Sequence, residues 1–178
     1  MEKEILKISL HPNKALEYPY EEYEIRADRY APLKIQSAEV TDTGAHIVSD
    51  MAHIRIENPY DNVLRMRFAG KGAPQKTAAQ ELGMLLPHSG CAAMRATAGE
   101  DSVTAENAAM RLVYELGTNE FCIYDKNGDA FLKTTKGGVR FTLDSPEFSG
   151  DKTLGFFELD AGEQIFGFGG RIIHPNRK

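Results

Sequence analysis

The stretch Met51-Ala-His-Ile-Arg-Ile-Glu57 decides the fold, because apolar and polar residues alternate along it. Successive side chains of a β-strand point to opposite faces, so its alanine and isoleucines would face one side and its histidine and charged residues the other. A second alternating run, Val63-Leu-Arg-Met-Arg-Phe68, follows the turn-forming residues Asn58-Pro-Tyr-Asp-Asn62. The two runs predict an antiparallel hairpin with one apolar face.

Short apolar runs recur along the chain at roughly ten-residue spacing, with turn residues between them. After the first hairpin they cover residues 109–116, 120–124, 130–134, 139–143, 155–159 and 164–167. Asn127-Gly128 is a preferred pair for a type I′ hairpin turn. Long helical patterns do not alternate with these runs, which disfavours a doubly wound α/β fold. The sequence therefore predicts an all-β protein, an antiparallel two-sheet β-sandwich of roughly seven to ten strands with at most one or two short helices.

The predicted sandwich spans residues 35–169 and is preceded by a less regular region. Residues 1–34 lack periodicity and are rich in Tyr, Glu and Pro, which indicates an extended arm with one short strand that joins the sandwich. Between residues 70 and 100, Gly, Ala and Pro dominate. There Thr77-Ala-Ala-Gln80 is consistent with a capped short helix, and a loop that crosses between the sheets fits equally well.

Composition excludes several classes of function. The chain has 178 residues and a formal net charge of −5, which argues against a nucleic-acid-binding protein. No stretch approaches the roughly 20 apolar residues of a membrane span, and the first residues lack the apolar core of a signal peptide. Cys91 and Cys122 are isolated, which argues against a disulfide framework and favours a reduced, cytoplasmic protein. No cofactor is expected.

Three motif-like patterns have simpler explanations. Gly167-Phe168-Gly169 begins a dinucleotide-binding fingerprint, but the third glycine position is Ile172. Asp125-Lys-Asn-Gly-Asp129 resembles the start of a calcium loop, but its glycine comes too early, which predicts a plain turn. The histidines lack metal-ligand spacing, and His53 is expected to be solvated on its strand. The chain therefore predicts no metal site and no self-contained catalytic site.

Three segments together resemble the N-terminal β-sandwich domain of glycoside hydrolase family 31, which includes retaining α-glucosidases and α-xylosidases. Residues 58–68 are similar to a family strand that ends in Leu-Arg-x-Arg-Phe. Residues 109–129 are similar to a strand pair closed by an Asp-x-x-Gly turn. Residues 157–171 are similar to the closing segment Glu-x-x-Tyr-Gly-x-Gly-Glu-Arg, with Phe166 in the tyrosine position and Gly170 in place of the second glutamate.

This resemblance implies a galactose-mutarotase-like sandwich that supports a catalytic (β/α)₈ barrel. Residues 170–178 would begin the linker to that barrel, and the barrel itself, at about 250 residues, does not fit in this chain. The barrel would carry both catalytic carboxylates of a retaining α-glycosidase, so no catalytic residue and no activity are expected in this chain alone. Its partners would be its own downstream barrel and, in the longer protein, an α-linked saccharide.

The resemblance also implies two sets of site residues near the C-terminus. The domain-junction motif would consist of Glu163, Phe166, Gly167 and Gly169. The candidates for the rim of the substrate pocket are Arg171, His174, Asn176 and Arg177. Asparagine and arginine offer hydrogen-bond donors to sugar hydroxyls. An equally open interpretation is that these polar residues only solvate an interdomain linker.

Two other functions fit an all-β sandwich. An independent carbohydrate-binding or protein-interaction module would carry a groove rimmed by exposed Tyr or Phe, although the chain has no Trp to stack on a sugar ring. A complete aldose epimerase shares the sandwich, but such enzymes are longer and need a histidine pair with a glutamate base in one cleft. The non-catalytic α-glycosidase domain is the favoured interpretation.

Overall fold

The computed structural model describes residues 5–8, 23–26, 30–60, 62–71, 76, 78–84, 94–142 and 153–159. These residues contain thirteen strands and one short helix. In chain order the elements are β1 (Ile5–Ile8), β2 (Tyr23–Arg26), β3 (Tyr30–Pro32), β4 (Ile35–Thr41), β5 (Gly44–Ser49), β6 (Ala52–Tyr60), β7 (Val63–Gly70), α1 (Ala78–Glu81), β8 (Arg95–Ala98), β9 (Ser102–Glu106), β10 (Met110–Glu115), β11 (Phe121–Asp125), β12 (Ala130–Thr142) and β13 (Thr153–Phe157).

The chain divides into two compact units. The first comprises Met1–Tyr30 and Leu159–Lys178, and the second comprises Ala31–Glu158. In the first unit, β1 and β2 form a two-stranded antiparallel sheet that runs from Ile5 opposite Arg26 to Ile8 opposite Tyr23. The N-terminal arm, predicted with one short strand, therefore contains a strand pair.

The second unit contains two sheets. The smaller has four strands in the order β4-β5-β6-β7, and the larger has seven, in the order β13-β12-β11-β10-β9-β8 with β3 beside β12. Each pair of neighbours along these two orders is antiparallel and consecutive in sequence. Apart from β3, both sheets are therefore built from strands that pair with their neighbours in sequence.

One apolar core lies between the two sheets. The four-stranded sheet contributes Ile47, Ile54 and Ile56, all fully buried. The seven-stranded sheet faces them with Val103, Ala105, Leu112, Tyr114, Phe121, Val139 and Phe141. The predicted all-β antiparallel sandwich is thus confirmed, and α1 is the one helix among the described residues.

The hairpin of β6 and β7 forms as the alternating sequence predicts. Ile54 lies opposite Phe68, and Ile56 lies opposite Met66, with all four side chains packed in or against the core. The strands continue to Tyr60 opposite Val63, further than the predicted turn at residues 58–62. Polar side chains of β6 and β7 point to the other face of the sheet.

The turn between β11 and β12 differs from the predicted type I′ geometry. The Gly128 N–H donates to the Asp125 carbonyl at 3.1 Å, and Gly128 has a φ of 91° whereas Asn127 is not left-handed. Asp125 Oδ1 accepts the N–H groups of Asn127 at 2.8 Å and Asp129 at 2.9 Å. The turn is therefore type I followed by a left-handed glycine. These hydrogen bonds, the one from Asp129 foremost, lower the pKa of the Asp125 carboxyl.

Strand β12 changes direction at Lys136, Gly137 and Gly138, which all have positive φ. Its register with β13 shifts there, between Thr134 opposite Phe157 and Val139 opposite Gly155. A Cβ atom on Gly138 would clash with the backbone carbonyl of Asn119, so the close approach of the two chain segments requires glycine.

Buried polar side chains satisfy the backbone next to this kink. Asn119, itself at φ 62°, donates from Nδ2 to the Leu33 carbonyl at 2.6 Å and accepts from the Tyr114 hydroxyl at 3.4 Å. The Thr134 hydroxyl accepts the Phe121 N–H at 2.7 Å and donates to the Phe121 carbonyl at 3.1 Å. Buried backbone groups without such partners would be costly, so these side chains stabilise the irregular part of the sheet.

Candidate functional site

All eight site residues predicted from the sequence lie outside the described residues. They are Glu163, Phe166, Gly167, Gly169, Arg171, His174, Asn176 and Arg177. Their roles therefore stay predictions. Among the described residues, polar and charged side chains gather on one side of the four-stranded sheet.

We call this side the outer face. It is formed by the side chains of β4–β7 that point away from the core, namely Glu39, Thr41, His46, His53, Arg55, Glu57, Arg65 and Arg67. One row of it crosses all four strands, because Glu39 lies opposite His46, His46 opposite Arg55, and Arg55 opposite Arg67. Neighbours in such a row are close enough for their side chains to interact.

Glu39, His46 and His53 form a hydrogen-bonded chain across β4, β5 and β6. His46 Nδ1 lies 3.3 Å from Glu39 Oε1, and His46 Nε2 lies 3.0 Å from His53 Nδ1. The His46 side chain is 20% exposed, whereas that of Glu39 is 69% exposed. The carboxylate therefore sits at the solvent end of the chain and the histidine pair at its more protected end.

The two imidazole rings meet edge to edge. Their centroids are 5.2 Å apart, their planes differ by 18°, and the bonded nitrogens are 3.0 Å apart. The two nitrogens must then lie almost on the line between the centroids, which places that line close to both ring planes. This geometry directs a ring N–H at the lone pair of the other ring, as a linear hydrogen bond requires, and is not a face-to-face stack.

The surroundings of His53 disfavour its charged form. Burial is the largest cause of the lowered pKa of His53, followed by the nearby His46, Arg55 and Lys71. Each of these effects acts in the same direction, since desolvation and neighbouring positive charge both penalise an imidazolium. His53 is therefore held as a neutral hydrogen-bonding partner near neutral pH.

A shallow open hollow of about 200 Å³ lies beside the histidine pair. Its lining consists of Thr41, Thr43, Ala45, His46, Arg55 and Glu57. Glu57 is also paired with Arg65, whose Nε donates to Glu57 Oε2 at 3.0 Å. Both partners of this pair are about one quarter exposed, so the charge of Glu57 is largely balanced on the sheet surface.

The outward side of the seven-stranded sheet has a different character, because cations cover its aromatic rings. The Arg111 guanidinium lies 4.9 Å from the centre of the Tyr124 ring, and the Arg140 guanidinium lies 5.0 Å from that of Phe156.

A hydrogen bond with Cys122 is the largest cause of the raised pKa of Tyr124. Cys122 is a free thiol.

The sequence missed the histidine pair, although a signal for it exists. His53 does point away from the core, as the alternation predicts, but it hydrogen bonds to His46. Val48 lies opposite His53 across the β5–β6 turn, so His46, two residues before Val48, is on the same face and diagonal to His53. Counting residues outward from that turn would therefore have predicted that the side chains of His46 and His53 are neighbours.

Glu39, His46 and His53 are titratable groups in one hydrogen-bonded series, so the outer face can accept protons and pass them along that series.

In the part of the chain that the structure describes, no group of three or more His, Cys, Asp or Glu side chains could hold a metal ion. No helix in that part is long and apolar enough to cross a membrane. No protein-family model matches the chain, and no curated protein matches it.

Proposed function

We propose that this chain is the non-catalytic N-terminal sandwich of a retaining α-glycosidase that resembles glycoside hydrolase family 31. It would buttress a downstream catalytic barrel and form part of the wall around the substrate pocket. The observation that carries the proposal is that two of the three resembling segments fall in antiparallel strand pairs, one in each sheet of the sandwich. A fold alone does not define a function, so the order and sequence of these segments matter more than the architecture.

The first of these segments ends in strand β7. Leu64, Met66 and Phe68 pack against the core, whereas Arg65 points outward to Glu57. The Leu-Arg-x-Arg-Phe pattern thus separates core-forming from surface residues, and the alternation in the resembling family strand has the same physical basis.

The second segment includes the antiparallel pair β10 and β11, with Leu112 opposite Ile123 and Tyr114 opposite Phe121. The Asp-x-x-Gly pattern at its end forms the turn in which Asp125 accepts backbone N–H groups. Asp is favoured there because its short carboxylate reaches the backbone two residues on. The free thiol of Cys122 fits a reducing, cytoplasmic location, which is part of the proposal.

A carbohydrate-binding module is the second candidate, and Phe131, at 55% exposure, is the observation in its favour. Sugar-binding surfaces stack aromatic faces on pyranose rings. On this sheet, however, Arg111 lies over Tyr124 and Arg140 over Phe156, so one face of each ring already contacts a cation. This competition favours the supporting role.

The test compares the chain with the longer protein that the proposal requires. The natural reading frame that contains these 178 residues is expected to encode a (β/α)₈ barrel after them. That longer protein should hydrolyse p-nitrophenyl α-glucoside or α-xyloside with retention of the anomeric configuration, as NMR of the first product would show. The 178-residue chain alone should give only the rate of the buffer blank.

Two results would overturn the proposal. One is a reading frame without a barrel. The other is a longer protein that carries the barrel but cleaves no α-glycoside. Binding of soluble α-glucans by the 178-residue chain, measured by isothermal titration calorimetry and lost in Phe131→Ala, would instead support the carbohydrate-binding module.

A further inference from the structure

Three neighbouring strands of the four-stranded sheet are linked on the outer face by two side-chain hydrogen bonds in series. Glu39 of β4 contacts His46 of β5 at 3.3 Å, and His46 contacts His53 of β6 at 3.0 Å. The positions of the protons in this series follow from the chemistry of its ends. A carboxylate only accepts hydrogen bonds, so His46 Nδ1 must carry a hydrogen and donate it to Glu39.

That assignment fixes the rest of the neutral series. A neutral imidazole carries one ring hydrogen, so His46 Nε2 has a lone pair and accepts. The 3.0 Å contact then requires that His53 Nδ1 carry a hydrogen and donate it to His46 Nε2. His53 Nε2 is left as the unprotonated nitrogen at the end of the series.

We propose that Glu39, His46 and His53 form a proton-operated clasp, in which one added proton reverses the hydrogen bond between the histidines and a second proton breaks it. The clasp would link side chains of β4, β5 and β6 on the outer face in the first two states, and the side-chain link to β6 would be lost in the third while the backbone pairing of β5 with β6 remains.

The first proton reverses the bond because the positive charge is better placed on His46. His46 lies next to the Glu39 carboxylate, whereas His53 is near Arg55 and Lys71. A proton on His46 Nε2 makes that nitrogen a donor, so His53 Nδ1 must become the acceptor. His53 then loses its Nδ1 hydrogen and carries its one hydrogen on Nε2. The pair gains one proton in total, and its hydrogen bond is kept with donor and acceptor exchanged.

The second proton leaves no acceptor in the pair. His46 Nε2 and His53 Nδ1 would then both carry hydrogens at a separation of 3.0 Å, with a positive charge on each ring. The remaining charged side chains around the pair offer limited relief, because Glu57 is already paired with Arg65. The charged groups on the elements around the pair are Glu39 of β4, Arg55 and Glu57 of β6, Arg65 and Arg67 of β7, and Lys71 after β7.

The experiment follows the ring nitrogens directly. Long-range ¹H–¹⁵N correlation spectra of the full ¹⁵N-labelled chain would be recorded from about pH 8 to about pH 5. We expect both histidines as Nδ1–H tautomers at the alkaline end. As the first proton binds, His53 should change to the Nε2–H tautomer while both nitrogens of His46 become protonated. Spectra of His46→Gln and His53→Gln assign the two rings.

The same variants and two others sharpen the test. In His46→Gln, the tautomer reversal of His53 should be lost, and His53 should titrate as a single site. In Glu39→Gln, the midpoint of the reversal should move to lower pH, because the negative charge that favours a positive His46 is gone. Glu115→Gln is the matched control, since it removes the same charge from an exposed position on β10 of the other sheet. It should leave the reversal unchanged.

The clasp is overturned if His53 keeps the Nδ1 hydrogen throughout the titration. It is equally overturned if each histidine titrates in the wild type as it does after removal of the other. An equal displacement by Glu39→Gln and Glu115→Gln would show that net charge, and not the contact with His46, sets the midpoint. The far-UV circular dichroism of each variant at pH 8 provides the check on folding.

Discussion

The two sheets of the sandwich are specified in different ways. The four-stranded sheet is a run of consecutive hairpins, and its two middle strands alternate regularly, with Ile47, Ile54 and Ile56 buried and the outer face polar. The seven-stranded sheet contains a strand that turns at three consecutive left-handed residues, 136–138. Its shape depends on contacts between residues far apart in the sequence, such as Asn119 with Leu33, 86 positions apart.

This difference predicts where substitutions should be most damaging. Alternation is a redundant signal, because many residues contribute to it and none decides it alone. A kink held by one glycine, one asparagine and one threonine has no such redundancy. We therefore expect large effects from single changes near the kink in β12 and small effects from changes on the outer face.

The largest effect is expected for Gly138→Ala. The added Cβ would clash with the Asn119 carbonyl, and alanine disfavours the φ of 64° found at this position. The free energy of unfolding, measured by guanidinium denaturation, should fall by at least about 4 kcal/mol. Gly117→Ala is the control, because a Cβ there meets no atom within 4 Å. Equal losses in the two variants would remove the special role of the kink.

Asn119→Ala should have the next largest effect. It removes the hydrogen bond to the buried Leu33 carbonyl and places alanine at a φ of 62°. We expect a loss of about 2–3 kcal/mol in the free energy of unfolding. Asn119→Gly separates the two causes, since glycine tolerates this φ but makes no side-chain hydrogen bond. If glycine is not less damaging than alanine, backbone conformation contributes nothing here.

Thr134→Val tests the hydroxyl of β12 that hydrogen bonds with the backbone N–H and carbonyl of Phe121. Valine has nearly the same shape, but it leaves the N–H and carbonyl of Phe121 without the contacts at 2.7 and 3.1 Å. The midpoint of denaturation should shift by an amount equivalent to about 1–2 kcal/mol. Thr134→Ser keeps the hydroxyl, so a loss as large as that of valine would point to the methyl group instead.

The sequence predicted the β6–β7 hairpin better than strand β12 for a physical reason. The β6–β7 hairpin follows from local alternation, and its register is confirmed at Ile54 and Phe68. Residues 130–134 and 139–143 give two separate apolar runs, because Lys136-Gly137-Gly138 interrupts them. The structure joins most of this region into one strand, Ala130–Thr142, since β13 pairs with both parts. The pairing with β13, and not the local sequence, shows that the two apolar runs belong to one strand.

Strands β8 and β9 were not predicted from the sequence, for a related reason. Arg95–Ala98 and Ser102–Glu106 do alternate polar and apolar residues, but three of their four apolar residues are alanine, so the apolar signal is small. They form where β4 and β5 contact them across the core, with Val103 and Ala105 fully buried. The histidine pair is similar, because its two members come together only when the register of β5 against β6 is known.

The smallest effect in the series is expected on the outer face, and it depends on pH. The pKa of His53 is lower in the folded protein than its ordinary value, chiefly because of burial. Below about pH 6.5, the ordinary pKa of histidine, the unfolded chain therefore binds more protons at this position than the folded protein does. The contribution of His53 to the free energy of unfolding should be constant above that pH and fall as pH decreases through it.

His53→Gln isolates this contribution, because glutamine does not titrate and stays on the polar face. Chemical denaturation of the wild type and the variant would be compared at about pH 8 and about pH 5. We expect the two proteins to differ by less than about 1 kcal/mol at the higher pH, as for most surface substitutions. At the lower pH the balance should move in favour of the variant, which has no imidazole to protonate. If the wild type instead gains stability relative to His53→Gln on acidification, the folded protein stabilises the charged form of His53. The pKa of His53 would then be raised in the folded protein, which is opposite to the effect of its burial and of the neighbouring cations.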